Sequence, residues 1–159
     1  MKKKPIDHIS TLAKEEKLEL EMMKMLFSKN KQKKKFKDGS HIISDPESGS
    51  TILKEHYKNG KRDGFLEFFY DNGQICMSGE YFQGKREGLH EMFYENGELW
   101  DTGKFIKDKP VGLHKSFHEN GKIHQIAFYK DGKLDGKAHS YLDTGELEWS
   151  KEFLNGEEV

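Results

Sequence analysis

Glycines stand 24 residues apart at Gly49, Gly73, Gly97, Gly121 and Gly145, and aromatics keep the same interval at Tyr57, Tyr81, Phe105, Tyr129 and Phe153. A period of this length is the signature of a repeat architecture, in which each unit buries its apolar face only by stacking on its neighbours. Further columns repeat with it: Gly64, Gly88, Gly112 and Gly136; Phe69, Phe93, Phe117 and Tyr141; Ile75, Leu99, Ile123 and Leu147. Gly60, Gly84, Gly132 and Gly156 complete the frame, with Asp108 as the exception. The pattern predicts five units, 40–63, 64–87, 88–111, 112–135 and 136–159. The first is degenerate, with Ser40, Asp45 and Thr51 in the glycine, aromatic and aliphatic columns, as a capping unit is.

Each unit reads as two β-prone runs around a turn, for example 89–94, then Glu95-Asn96-Gly97, then 98–105. Asn-Gly between such runs is the strongest short-range hairpin signal. A two-residue turn would pair Phe93 with Trp100 and separate Leu99 and Phe105 from Phe93. A three-residue turn with a glycine bulge pairs Phe93 with Leu99 and keeps Phe105 beside them. The second register predicts one apolar face of Phe65, Phe69, Ile75, Met77, Tyr81, Leu89, Phe93, Leu99, Phe105, Leu113, Phe117, Ile123, Tyr129, Tyr141, Leu147, Trp149 and Phe153. Gly79, Gly103 and Ala127 sit two residues before the aromatic column, where a missing side chain lets a ring lie over the backbone. The expected fold is mainly β: an elongated antiparallel sheet of five 24-residue hairpins, domain 40–159, preceded by a basic head, domain 1–39.

The unit Gly64-Phe-Leu-Glu-Phe-Phe-Tyr-Asp-Asn-Gly73-Gln-Ile-Cys-Met-Ser-Gly79-Glu-Tyr81-Phe-Gln-Gly84-Lys85-Arg-Glu-Gly88 resembles the MORN repeat variant, a MORN-like hairpin found in bacterial proteins. The resemblance covers about 100 residues over four good units and lies in the residues that build the hairpin. It implies the fold directly. It also implies kinship with the YwqK-type antitoxin family, and therefore neutralisation of a toxin by masking its surface; the MORN family's association with lipid implies a membrane partner instead.

In the head, Ile9, Leu12, Leu18, Met22, Met25 and Leu26 recur at helical spacing, with Leu20, Met23 and Phe27 widening the stripe, so residues 7–28 are expected to form one amphipathic helix. A lysine-rich run, 29–37, follows; it is either a solvated linker or an electrostatic contact with an acidic partner or lipid. Net charge over the chain is −1, yet residues 1–39 hold 12 lysines against 6 acids, which leaves the repeat body acidic. An acidic body argues against nucleic acid as a partner.

The lone cysteine, Cys76, excludes an internal disulfide and fits a reducing, cytoplasmic setting. Charges at Asp7 and His8 interrupt the run that an export signal needs after the basic start. No nucleophile elbow, His-Glu-x-x-His or phosphate-cradling loop is present, so the chain is not expected to be an enzyme and no cofactor is implied. His118 and His124 would be neighbours across one hairpin, but no third ligand completes a tetrahedral metal set.

The second face, in this register, holds Leu66, Phe68, Tyr70, Cys76, Met92, Tyr94, Trp100, His114, His118, His124, Ile126 and Phe128, giving way to Ser140, Glu146, Glu148 and Glu152. A contiguous apolar patch rimmed by charge marks either a partner site or a place where the head helix lies. The candidate partner-binding residues are Phe68, Tyr70, Met92, Tyr94, Trp100, His118 and His124. The expected function is a non-catalytic scaffold that binds a protein, with a toxin as the partner the resemblance implies. The alternative is a membrane-surface adaptor that binds anionic lipid through residues 1–39.

Overall fold

Alternating apolar and polar residues, punctuated every few positions by glycine, leave the chain little choice but short antiparallel strands joined by tight turns. A computed structural model describes residues 36–159; the expected helix at 7–28 and most of the lysine-rich run lie outside these residues. Thirteen strands form one sheet: β1 (Gly39–Ser44), β2 (Thr51–Lys58), β3 (Lys61–Arg62), β4 (Gly64–Phe69), β5 (Ile75–Phe82), β6 (Lys85–Phe93), β7 (Leu99–Ile106), β8 (Lys109–Phe117), β9 (Ile123–Lys130), β10 (Lys133–Leu134), β11 (Gly136–Tyr141), β12 (Leu147–Leu154) and β13 (Glu157–Glu158). Pairing follows chain order along β1-β2-β4-β5-β6-β7-β8-β9-β11-β12-β13, with the short β3 and β10 pairing only with β2 and β9, and every ladder is antiparallel. The sheet is a meander, so alternate turns lie at opposite ends of the strands.

Two turn types alternate. At one end, Gly73 N donates to Tyr70 O (2.9 Å) and Tyr70 N to Gln74 O (2.8 Å), and the same pair of bonds recurs at Tyr94/Glu98, His118/Lys122 and Leu142/Glu146. These are three-residue loops closed by a left-handed glycine, with Gly97 at φ 87°. The expected pairing of Phe93 with Leu99 is present. At the other end, the two-residue turns at Asn59-Gly60, Gln83-Gly84, Lys107-Asp108, Asp131-Gly132 and Asn155-Gly156 have positive φ at both positions. Asp108 occupies a glycine's place at φ 70° because its Oδ1 accepts a bond from Arg86 N (2.8 Å).

The apolar face departs from expectation. After Phe93↔Leu99 the next pair is Met92↔Asp101, so Trp100 is bulged out of the ladder. Cys76, His124 and Glu148 are skipped in the same way. This second bulge shifts the alternation by one residue and divides the predicted face in two. Tyr81, Phe105, Tyr129 and Phe153 are buried on one side together with Leu66, Phe68, Met77, Met92, His90 and His114, which we call the inner face. Phe65, Phe69, Leu89, Phe93, Leu99, Leu113 and Leu147 lie on the other side, half-buried or exposed.

Two rows of side chains run across the strands on the inner face. In one, Tyr81, His90, Phe105, His114 and Tyr129 alternate edge-to-face at centroid spacings of 5.5, 5.2, 5.3 and 4.9 Å. The histidine rings lie on Gly79 and Gly103, where a Cβ would stand 2.2 Å and 1.9 Å from the respective Nδ1. Each Nε2–H donates to a strand carbonyl, that of Glu80 (2.9 Å) or Lys104 (3.0 Å). A ring does lie over the glycine backbone as the sequence suggests, but it is a histidine from the neighbouring strand.

The first hairpin is out of frame. Its loop is one residue longer, closed by Asp45 N to Ser50 O (2.8 Å), and the slip turns Ile42 outward to 66% exposure, whereas Leu66 one period on is buried. Ahead of it, Phe36 stacks on Tyr57 (5.1 Å), and Asp38 Oδ1 accepts a bond from Gly60 N (3.0 Å). One period on, a backbone carbonyl replaces that carboxylate as the acceptor, with Gly84 N donating to Arg62 O (2.7 Å). The described residues form one compact unit, Phe36–Val159.

Candidate functional site

The bulge that divides the faces also builds the most unusual surface. It places Cys76, Trp100, His124 and Glu148 on the inner side, each near the residue that follows the preceding strand: Tyr70, Tyr94, His118 and Leu142. Trp100 tilts against Tyr94 (5.9 Å between centroids) and His118 against His124 (4.6 Å).

These side chains are anchored to the next unit. Tyr70 Oη donates to Phe93 O (2.6 Å), Tyr94 Oη to Phe117 O (2.7 Å), and His118 Nε2 to Tyr141 O (2.8 Å). A carbonyl only accepts, so Nε2 carries the proton in His118. The turn asparagines add a second tie. Asn72, Asn96 and Asn120 each accept their own turn's N–H at Oδ1 and donate through Nδ2 to the next turn's carbonyl, at Glu95, Glu119 and Asp143. A primary amide accepts at its oxygen and donates from its nitrogen at once; Thr144, in the last such turn, makes the first bond, accepting from Glu146 N.

Behind this column a single row crosses the sheet, pair by pair: Leu53, Phe68, Met77, Met92, Asp101, Ser116, Gln125, Ser140, Trp149. Its first four members are an apolar core. The next four are polar and no more than 5% exposed. Ser140 Oγ donates to Glu148 Oε2 (2.9 Å), and Ser116 Oγ lies 3.5 Å from His124 Nδ1. Gln125 Oε1 has no hydrogen-bond donor among the described residues. Ser116 is fully buried, so its neighbourhood with His124 and Asp101 does not present a nucleophile.

Of the residues expected to bind a partner, Tyr70, Tyr94, Trp100, His118 and His124 are brought together, half-buried, at one end of the inner face. Phe68 and Met92 are 0% and 1% exposed and belong to the core row behind them. Sequence reasoning misses the buried polar stretch Asp101–Ser116–Gln125–Ser140. A signal exists, because the column Leu53, Met77, Asp101, Gln125, Trp149 turns from apolar to polar midway.

Burial raises the hydroxyl of Tyr70 to about 12, with Cys76, Glu95 and Tyr94 adding to the shift. The Tyr94 hydroxyl is raised by burial first, then by Glu119 and Asp101. Burial pushes the Cys76 thiol up to about 12, the opposite of what a nucleophile needs. No group of three or more metal-ligating side chains occurs among the described residues, and no helix among them is long and apolar enough to cross a membrane.

A meander of hairpins tied to one another by side chains at a fixed interval defines a β-repeat protein. Residues 86–107 and 110–131 match the MORN repeat variant. Among solved structures, the chain is similar to TarM, at 14% identity and a TM-score of 0.41, over 73% of this chain and 24% of that one. A TarM variant from S. aureus, solved with fondaparinux, α-GlcNAc-glycerol and UDP, gives 12% identity and a TM-score of 0.42, over 81% of this chain and 26% of that one. The accessory secretory protein complex of Streptococcus pneumoniae gives 17% identity and a TM-score of 0.19, over 74% and 18%. The chain therefore spans about a quarter or less of these structures. No curated protein matches it.

Proposed function

We propose that this protein is a non-catalytic cytoplasmic scaffold that binds another protein through the turn-side end of its inner face. The observation that carries the reading is the column Tyr70, Tyr94, Trp100, His118 and His124: half-exposed rings, three of them tied by hydrogen bonds to the next unit. Rigid aromatics that lose little freedom on binding, set in an array, are what protein hot spots are made of. MORN repeats are commonly associated with protein or membrane binding, which agrees with this use of the surface. Masking a toxin is the form of binding that kinship with YwqK-type antitoxins would give.

Capture of a stoichiometric partner from native cytosol by the full chain, compared with Trp100→Ala, tests the reading. Loss of the partner with the variant, at unchanged stability, is expected; undiminished capture would move the site elsewhere. The two-residue turns favour a second reading. Lys61, Lys85, Lys109 and Lys133 recur along one edge of the sheet, and a membrane adaptor would use them, together with residues 1–39, against anionic lipid. Salt-sensitive flotation with anionic liposomes is that reading's expected result, and no flotation removes it.

A further inference from the structure

The meander sorts the charges as well as the turns. The three-residue turns at 70–74, 94–98, 118–122 and 142–146 carry Asp71, Glu95, Glu98, Glu119, Asp143 and Glu146 against one cation, Lys122. Four of the five two-residue turns at the opposite strand ends, 58–62, 82–86, 106–110 and 130–134, carry nine lysines and arginines against Asp108 and Asp131, while the last, 154–158, carries Glu157 and Glu158. One edge of the sheet is therefore acidic and the other basic, which a net charge of −1 conceals.

At the basic edge the chain answers its own aromatics with cations: Arg62 lies over Tyr81 (5.4 Å) and Arg86 over Phe105 (4.2 Å). At the acidic edge, Tyr94 and Trp100 form a half-exposed pair with no cation of the described residues over either ring. The Asp101 and Glu119 carboxylates make the surroundings of the Tyr94 hydroxyl negative. One hairpin further along the same end, the buried Gln125 Oε1 lacks a donor. Aromatic faces, negative field and an unanswered acceptor all favour a cation that also donates hydrogen bonds.

We propose that the acidic edge of the inner face takes a basic segment of a partner protein, with an arginine of that segment stacked on the Tyr94–Trp100 pair. This rests on the protein-binding reading above and names the chemistry of the partner. Arginine suits the place better than lysine, because a planar guanidinium stacks on an indole while its N–H groups reach several acceptors at once. Equivalent positions on successive hairpins are two strands, or about 9.6 Å, apart. A polyproline II segment advances about 3.1 Å per residue and returns to the same side every third residue, so basic residues three apart meet successive hairpins.

The test is a titration of the full chain with a capped peptide carrying two arginines three residues apart, followed through the Trp100 indole N–H signal. Trp149→Phe assigns that signal. A saturable shift is expected, weakened about tenfold when citrulline, the neutral isostere, replaces both arginines. Glu95→Gln with Glu119→Gln, both in exposed turns, should weaken it too, whereas Glu67→Gln on the other face should not. Equal binding of the citrulline peptide, shifts confined to the outer face, or no saturable shift overturns the proposal. A native partner that is lost with Trp100→Ala but indifferent to Glu95→Gln with Glu119→Gln would keep the protein-binding reading and overturn this one. Failure to capture any partner is the failure of that reading itself, seen in the capture experiment and not in the peptide titration.

Discussion

Substituting Gly103 by alanine isolates the packing that holds the inner face together. Gly103 has an ordinary strand conformation, so the added methyl brings no backbone strain. It does meet a ring: the new Cβ would stand 1.9 Å from His114 Nδ1, 2.0 Å from Cε1 and 2.5 Å from Cγ. An ordinary contact is about 3.4 Å or more, so the imidazole has to leave. Its departure costs the bond from Nε2 to Lys104 O, about 1 kcal/mol, and the edge-to-face contacts with Phe105 and Tyr129, about 0.5–1.5 kcal/mol each. Replacing glycine in a strand returns about 0.5–1 kcal/mol, leaving a net loss near 2–3 kcal/mol. Urea unfolding of Gly103→Ala against the parent measures it. The sequence supplies the control, because the position equivalent to Gly103 one unit on is Ala127 and the one equivalent to His114 is Ala138. In a His114→Ala background, therefore, Gly103→Ala should cost almost nothing. A loss below about 1 kcal/mol, or two effects that simply add, would refute the account of the ring lying on the glycine.

Other consequences follow from particular bonds. Asn96→Asp keeps the acceptor for Glu98 N but loses the donor to Glu119 O, and should cost about 1 kcal/mol in thermal unfolding, while a neutral outcome would mean the asparagine ladder holds nothing. The Asp38 carboxyl is held below its usual range by the Gly60 and Asn59 backbone N–H groups. Its contribution is therefore present above the unfolded value near 3.9 and fades as pH falls through the lower folded value. Asp38→Asn should flatten stability against pH in that acid window; superimposable curves would contradict the cap. Cys76 is fully buried with its thiol raised to about 12, so a thiol reagent should react with it only as fast as the sheet opens. Rapid labelling of the native protein would show that it is not sealed.

The sequence announces the hairpins because turn chemistry is local: Asn-Gly and its left-handed glycine fix the loop whatever lies around it. The three-residue turn and the Phe93–Leu99 pair follow from that. The inner face is not legible, because a bulge at Trp100 has no local signature and a slip of one residue exchanges the two faces of a strand. Tyr94, Trp100, His118 and His124 still fall together, since all four lie beside the turn, where both registers place them close. Phe68 and Met92 share their expected face yet are sealed in the core, a matter of neighbouring strands and not of spacing. The buried histidines at Gly79 and Gly103 are half legible: the glycine marks a close approach, while the ring that fills it comes from a strand the period alone does not identify.

Site-specific photo-crosslinking in the native cytosol is the most direct test of the central claim, that a protein binds the turn-side end of the inner face. A benzophenone side chain at Trp100 should capture one protein in stoichiometric yield. The same group at Phe93, on the other side of the sheet, should capture none. Equal capture from both positions, or capture from Phe93 alone, would contradict the account.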